Sequence, residues 1–152
     1  MNQEPTQLLA SVRQFGIQLS ATPRGARLAR LLAVEQLRSW GLDAASGPAA
    51  QIVAELAANA VTHGRVPGRD FTVGLFAAED RLRIEVTDTR GDRLPAVAAG
   101  YGLPLVEALS LSWGVRRGPV PRKTVWAELP LPGAAASRPT ATQVLATRWP
   151  TP

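Results

Sequence analysis

The chain has 152 residues, 45% of them hydrophobic, which is enough for one globular domain with a sizeable core. With no cysteine and one histidine, it excludes disulfides, thiolate metal sites, a cysteine nucleophile and multi-histidine zinc sites. No apolar run is long enough for a membrane span and residues 1–5 lack a signal-peptide pattern, so we expect a cytoplasmic protein with no membrane partner. The net charge is +5, but the arginines are scattered, so we expect no direct nucleic-acid partner. A nucleic-acid-binding domain is an alternative that rests on charge alone.

The first half of the chain predicts one strand followed by two helices. Alternating apolar residues indicate a strand over 12–19. Thr22 and Pro23 are typical of a helix start, and Gly41 is typical of the stop after a helix that reaches about residue 40. A second helix is predicted over 47–64.

The second half predicts two strand pairs separated by a short helix. The elements in chain order are strands over 71–77 and 81–88, a helix over 102–111, and strands over 113–117 and 124–129. Residues 131–152 are rich in Ala, Pro, Thr and Ser and predict a disordered tail. We therefore expect an α+β fold, a two-layer sandwich with helices on one face of a mostly antiparallel mixed sheet.

Polar side chains follow one edge of the second predicted helix. Its apolar residues repeat with the spacing of a buried stripe: Ile52, Val53, Leu56, Ala57, Ala60 and Val61. Glu55, Asn59 and His63 are four residues apart, so they share a face beside that stripe. Polar groups at the rim of a core helix favour a site, and a solvated helix edge is the alternative.

Asp88 lies at the end of an apolar row on a predicted strand. Because side chains alternate along a strand, Leu82, Ile84, Val86 and Asp88 all point to one face. A half-buried carboxylate needs a donor, since an unpaired one is costly. The residue is therefore a candidate for ligand binding, and a strand-end aspartate that caps its own turn is the alternative.

Two weaker signals follow. Gly100 and Gly102 come directly before the short predicted helix, where glycine lets backbone N–H groups approach an anion. A simple helix-entry turn is the alternative. Thr124 begins the last predicted strand, where an ordinary strand residue is the default interpretation.

Taken together, these motifs resemble the GHKL ATP-binding domain shared by DNA gyrase, the ninety-kilodalton heat-shock chaperone, histidine kinases and MutL-type repair proteins. More narrowly, the chain looks like the small bacterial anti-sigma factor serine kinases. Residues 55–64 match the asparagine box, 88–91 the first glycine box and 100–109 the second. The resemblance covers 12–130 as an ATP-binding domain; residues 1–11 form an N-terminal extension and 131–152 the tail.

The resemblance implies a Bergerat-type fold that binds ATP and Mg²⁺. Asn59 would hold the metal ion, and Glu55 would be the general base. Asp88 would accept a hydrogen bond from the adenine amino group. The other nucleotide-binding residues that it implies are His63, Gly91, Gly100, Gly102, Leu103 and Thr124.

The implied function is that of an ATP–Mg²⁺-binding regulatory protein of the anti-sigma factor type. As a serine/threonine-protein kinase in transcription regulation, it would phosphorylate an antagonist protein. A sigma factor is the second partner that the resemblance suggests, and a homodimer is compatible with it. The alternative is a non-catalytic switch, in which ATP only sets the shape of a surface that binds a partner.

Overall fold

A computed structural model of the chain describes residues 12–62, 68–89 and 103–131. The elements in chain order are β1 (Arg13–Ser20), α1 (Pro23–Ser39), a 3₁₀ turn (Asp43–Ala45), α2 (Ser46–Thr62), β2 (Asp70–Ala77), β3 (Arg81–Asp88), α3 (Leu103–Leu109), β4 (Ser112–Arg117) and β5 (Lys123–Pro130). This confirms the predicted order of strands and helices, and the fold is α+β.

The five strands form one antiparallel sheet in the order β1-β2-β3-β5-β4. In its middle, Val73 lies opposite Val86, which lies opposite Val125 on the other side. The expected antiparallel character is confirmed. The parallel pair that a mixed sheet would need does not occur among the described strands.

The helices and one face of the sheet bury a common core. Leu75, Ile84 and Ala127 are fully buried on that face. Small residues such as Ala33 of α1 and Ala57 of α2 are also buried, and they let the two helices pack closely together. This packing is compatible with the expected two-layer sandwich.

Local chemistry sets both ends of α1. The Thr22 hydroxyl accepts a hydrogen bond from the Gly25 amide at 3.0 Å, and Pro23 is the first helical residue. A Cβ on Gly25 would lie 1.9 Å from the Ser20 carbonyl oxygen, so only glycine lets the helix start this close to β1. Gly41 follows the helix with φ of 76°, which confirms the predicted stop.

Several element boundaries differ from the prediction. α2 begins at Ser46, directly after the 3₁₀ turn, and α3 is shorter than the predicted helix over 102–111. Leu131 is buried and its amide donates a hydrogen bond to the Asp80 carbonyl at 3.1 Å, so packing continues one residue beyond the predicted boundary at 130. The predicted extension over 1–11 and the rest of the predicted tail lie outside the described residues. None of the described helices is long and apolar enough to cross a membrane.

Candidate functional site

Glu55 and Asn59 lie on the edge of α2, as their spacing predicted. Both side chains are half-buried, next to the fully buried Leu56 and Ala60 of the same helix. The Asn59 amide nitrogen donates a hydrogen bond to the Glu55 carbonyl oxygen at 3.0 Å. This bond fixes the orientation of the Asn59 amide, with its nitrogen toward the helix backbone. His63, the third member of the predicted edge, lies outside the described residues.

Asp88 is the last residue of β3 and is only 5% exposed. It continues the row of Leu82, Ile84 and Val86, all fully buried on the helix-facing side of the sheet. Its carboxylate lies 3.3 Å from the ammonium of Lys123, the residue directly opposite on β5. The donor that a buried carboxylate requires is thus supplied across the sheet.

Lys123 is the residue that sequence reasoning missed. It is the only lysine of the chain and its side chain is 2% exposed. Residues 125, 127 and 129 of β5 are apolar and point into the core, so the same alternation places residue 123 on that face. That alternation was the sequence signal for a basic group on the core-facing side of β5.

Thr124 lies on the opposite face of the sheet from Asp88. Its hydroxyl is 2.7 Å from that of Thr87, its cross-strand neighbour on β3. Consecutive residues of a strand point to opposite faces, so the residue that meets Asp88 is Lys123. Thr124 was predicted to lie near the adenine, but its side chain lies on the opposite face of the sheet from the Asp88 side chain.

Leu103 begins α3 and is completely buried in the core, together with Val106 one turn later. Its side chain therefore anchors the short helix by packing. The remaining predicted residues, Gly91, Gly100 and Gly102, lie outside the described residues.

The elements that carry these side chains pack on one another. α2 contacts β3, β5 and α3, so the helix of Glu55 and Asn59 lies over the strands of Asp88 and Lys123. A carboxylate, an amide oxygen and a carboxylate–ammonium pair suit a polar ligand with both donors and acceptors.

Few side chains among the described residues are placed to bind a metal ion together. No group of three or more His, Cys, Asp or Glu side chains comes together among them. The amide oxygen of Asn59 nevertheless has the chemistry that Mg²⁺ prefers. Mg²⁺ usually binds through one or two protein oxygens, with water and phosphate oxygens completing its shell, and Asn59 fits that mode.

A second cluster of charged residues occupies the face of the sheet that none of the described helices covers, called here the helix-free face. Glu128 accepts hydrogen bonds from Arg81 at 3.1 Å and from Arg83 at 3.0 Å, and Arg83 also donates to Glu85 at 2.8 Å. A groove of about 790 Å³ crosses this face, and Thr124 is among its lining residues. No predicted site residue other than Thr124 lies in this region, within the part of the chain that the structure describes.

No protein-family model matches the sequence, and no curated protein matches it.

Proposed function

We propose that the chain is a cytoplasmic ATP–Mg²⁺-binding regulatory protein of the anti-sigma factor type, with a Bergerat-type fold. It phosphorylates a serine or threonine of an antagonist protein, and a sigma factor is its second partner. The observation that carries the proposal is Asp88, a buried carboxylate at the end of an apolar row. Its strand packs under the helix that holds Glu55 and Asn59.

Asp88 is suited to hold a nucleobase. An ionised carboxylate only accepts hydrogen bonds, so it favours a base edge with a donor, such as the amino group of adenine. The apolar residues before it in the same row, Ile84 and Val86, are buried in the core. A hydrogen bond to a charged group in such surroundings contributes about 1.5–3 kcal/mol.

Asn59 is suited to the metal ion. With its amide nitrogen bonded to the Glu55 carbonyl, the amide oxygen is oriented before any ligand arrives. Mg²⁺, when bound, neutralises charge that develops on the transferring phosphoryl group. The residue therefore supports both nucleotide affinity and transfer.

Glu55, one helical turn from Asn59, is suited to act as the general base. The hydroxyl oxygen of the antagonist's serine or threonine forms a bond to the γ-phosphorus of ATP. The bond from that phosphorus to the bridging oxygen of ADP breaks, and ADP leaves with the electron pair. The hydroxyl proton goes to the Glu55 carboxylate, so the products are a phosphoserine or phosphothreonine and ADP.

The test separates binding from transfer. MgATP affinity is measured by calorimetry and transfer with labelled ATP and candidate antagonist proteins, for the unmodified chain and two variants. Asn59→Ala should weaken Mg²⁺-dependent ATP binding about tenfold and reduce transfer with it. Glu55→Ala should leave affinity within about twofold but lower transfer by about 100-fold or more, because a base acts in the transition state. Glu35→Ala, an exposed carboxylate change on α1, is the control and should alter neither.

Each result has a distinct meaning. If the unmodified chain does not bind MgATP, the proposal is wrong. If transfer persists at the unmodified rate in Glu55→Ala, the base is another group. ATP binding without transfer to any antagonist would instead favour the non-catalytic switch.

A further inference from the structure

Lys123 is an unusual residue for its place in the fold. It begins β5 on the helix-facing side, in the same row as the buried Val125 and Ala127. Lysine is rarely buried without a partner, because moving an ammonium out of water is costly. Here the ammonium lies 3.3 Å from the carboxylate of Asp88, and the two side chains are 2% and 7% exposed.

Stability alone does not account for this pair. Replacing a buried ion pair with apolar residues of similar volume is often neutral or stabilising. The row already consists of apolar residues on both strands, such as Val86 opposite Val125, so an apolar pair would continue it without the cost of desolvation. The ionic pair differs from an apolar pair in its hydrogen-bonding groups. The Asp88 carboxylate is an acceptor and the Lys123 ammonium is a donor, and the two lie side by side at the end of the core.

We propose that Lys123 is the second base-reading residue of the nucleotide site, which deepens the proposed ATP binding and rests on it. The edge of adenine carries the amino group N6, a donor, next to the ring nitrogen N1, an acceptor. Asp88 accepts from N6, and the ammonium of Lys123 donates to N1. An ammonium has three donors, so one can stay on Asp88 while another turns to the base.

The β3–β5 register makes this assignment specific to residue 123. Asp88 and Lys123 are directly opposed, whereas Thr124 points to the other face and bonds to Thr87. The arrangement also selects against guanine, whose edge has the reverse order. An acceptor, O6, would face the carboxylate, and the N1–H donor would face the ammonium. Both contacts would leave buried polar groups without partners, which is the strongest form of discrimination.

The experiment compares MgATP with the triphosphate of 1-deazaadenosine, in which a C–H group replaces N1. Calorimetry gives both affinities for the unmodified chain, for Lys123→Met and for Arg117→Met. Methionine is unbranched like lysine but has no donor, and Arg117 is the exposed residue opposite Lys123 on β4. Circular dichroism and the melting temperature of each ligand-free variant establish that it is folded.

The unmodified chain should bind the 1-deaza analogue about tenfold or more weakly than ATP, since a hydrogen bond to an ammonium is lost. Lys123→Met should bind ATP as weakly as the unmodified chain binds the analogue. The variant should also bind ATP and the analogue with equal affinity, because it has no ammonium to donate to N1. Arg117→Met should keep the unmodified ratio of affinities. The comparison on the unmodified chain requires no variant, so the proposal stays testable if Lys123→Met does not fold.

Measurable ATP binding with equal affinity for the 1-deaza analogue would overturn the role of Lys123 and leave the proposed function standing. So would a Lys123→Met variant that keeps the unmodified ratio, or one that binds ATP more tightly. The absence of ATP binding by the unmodified chain would overturn the proposed function itself.

Discussion

Strands β3 and β5 carry buried charges on both of their faces, and the two groups are built differently. On the helix-free face, Glu128 is shared by two guanidinium groups, those of Arg81 and Arg83. On the helix-facing side, Asp88 meets the ammonium of Lys123 at the end of the strands. Arginine suits a fixed network because its planar fork matches carboxylates, whereas lysine is a flexible point charge.

The network on the helix-free face extends across three strands. Glu85 accepts from Arg83 at 2.8 Å and lies 3.5 Å from Arg116 of β4. The Arg83 guanidinium also lies over the ring of Trp126, 4.3 Å from its centre. Its charged groups are paired with one another, although Arg81 Nε makes no hydrogen bond among the described residues, so the network links the three strands. The Asp88–Lys123 pair lies instead at the end of β3 and the start of β5, as a single cross-strand pair on the helix-facing side.

Glu128→Gln should give the largest loss of stability, because it removes the charge shared by the buried Arg81 and the partly buried Arg83. We expect the free energy of unfolding to fall by about 3–5 kcal/mol in urea denaturation. The control is Glu35→Gln, whose partner Arg38 lies at 3.5 Å with both side chains largely exposed, and it should change little. A loss below about 1 kcal/mol for Glu128→Gln would show that the network does not hold the sheet together.

Asp88→Asn should come next, with a loss of about 1.5–3 kcal/mol, because a hydrogen bond to the buried ammonium of Lys123 is weakened. The double variant Asp88→Leu/Lys123→Leu should recover most of that stability in the same urea measurement, since an apolar pair continues the row. MgATP affinity should be lost in both variants. A double variant that binds ATP as the unmodified chain does would contradict the functional role of the pair.

Gly114→Ala should have the smallest effect of the three, about 1–2 kcal/mol, in urea denaturation followed by tryptophan fluorescence. A Cβ at this position would lie 2.8 Å from the Trp126 ring, so the ring must shift, and its contact with the Arg83 guanidinium is disturbed. Gly16→Ala, on β1 of the same sheet, is the matched control because its nearest atom would be 4.0 Å away. Equal stability of the two variants would mean that the Trp126 ring moves freely and adds nothing to the network.

The elements themselves could be predicted from local patterns. The ends of α1 were predictable from Thr22, Pro23 and Gly41. Helix capping and a positive φ depend on only a few neighbouring residues. The buried row of β3 followed from alternation alone, including the place of Asp88 at its end. Register across the sheet was not predictable in this way, since it depends on which strands become neighbours.

The placement of the candidate site residues could be predicted from the sequence on α2, and only in part on the sheet. Glu55 and Asn59 share a helix edge because of their spacing, and the structure places them there. Thr124 was assigned to the adenine on the strength of a motif, but its side chain points to the other face. The choice between residues 123 and 124 depends on a shift of one position, which exchanges the two faces of a strand.

The amino-acid sequence by itself determined the order of strands and helices, the ends of α1 and the polar edge of α2. These features depend on interactions between residues that are close together in the chain, so they do not require knowledge of the tertiary structure. Only the tertiary structure decided that Lys123 is the partner of Asp88, 35 positions away in the chain, and that Glu128 joins Arg81 and Arg83. Such pairs are decided by strand order and register, because a buried charge takes its partner from whichever strand the sheet places beside it.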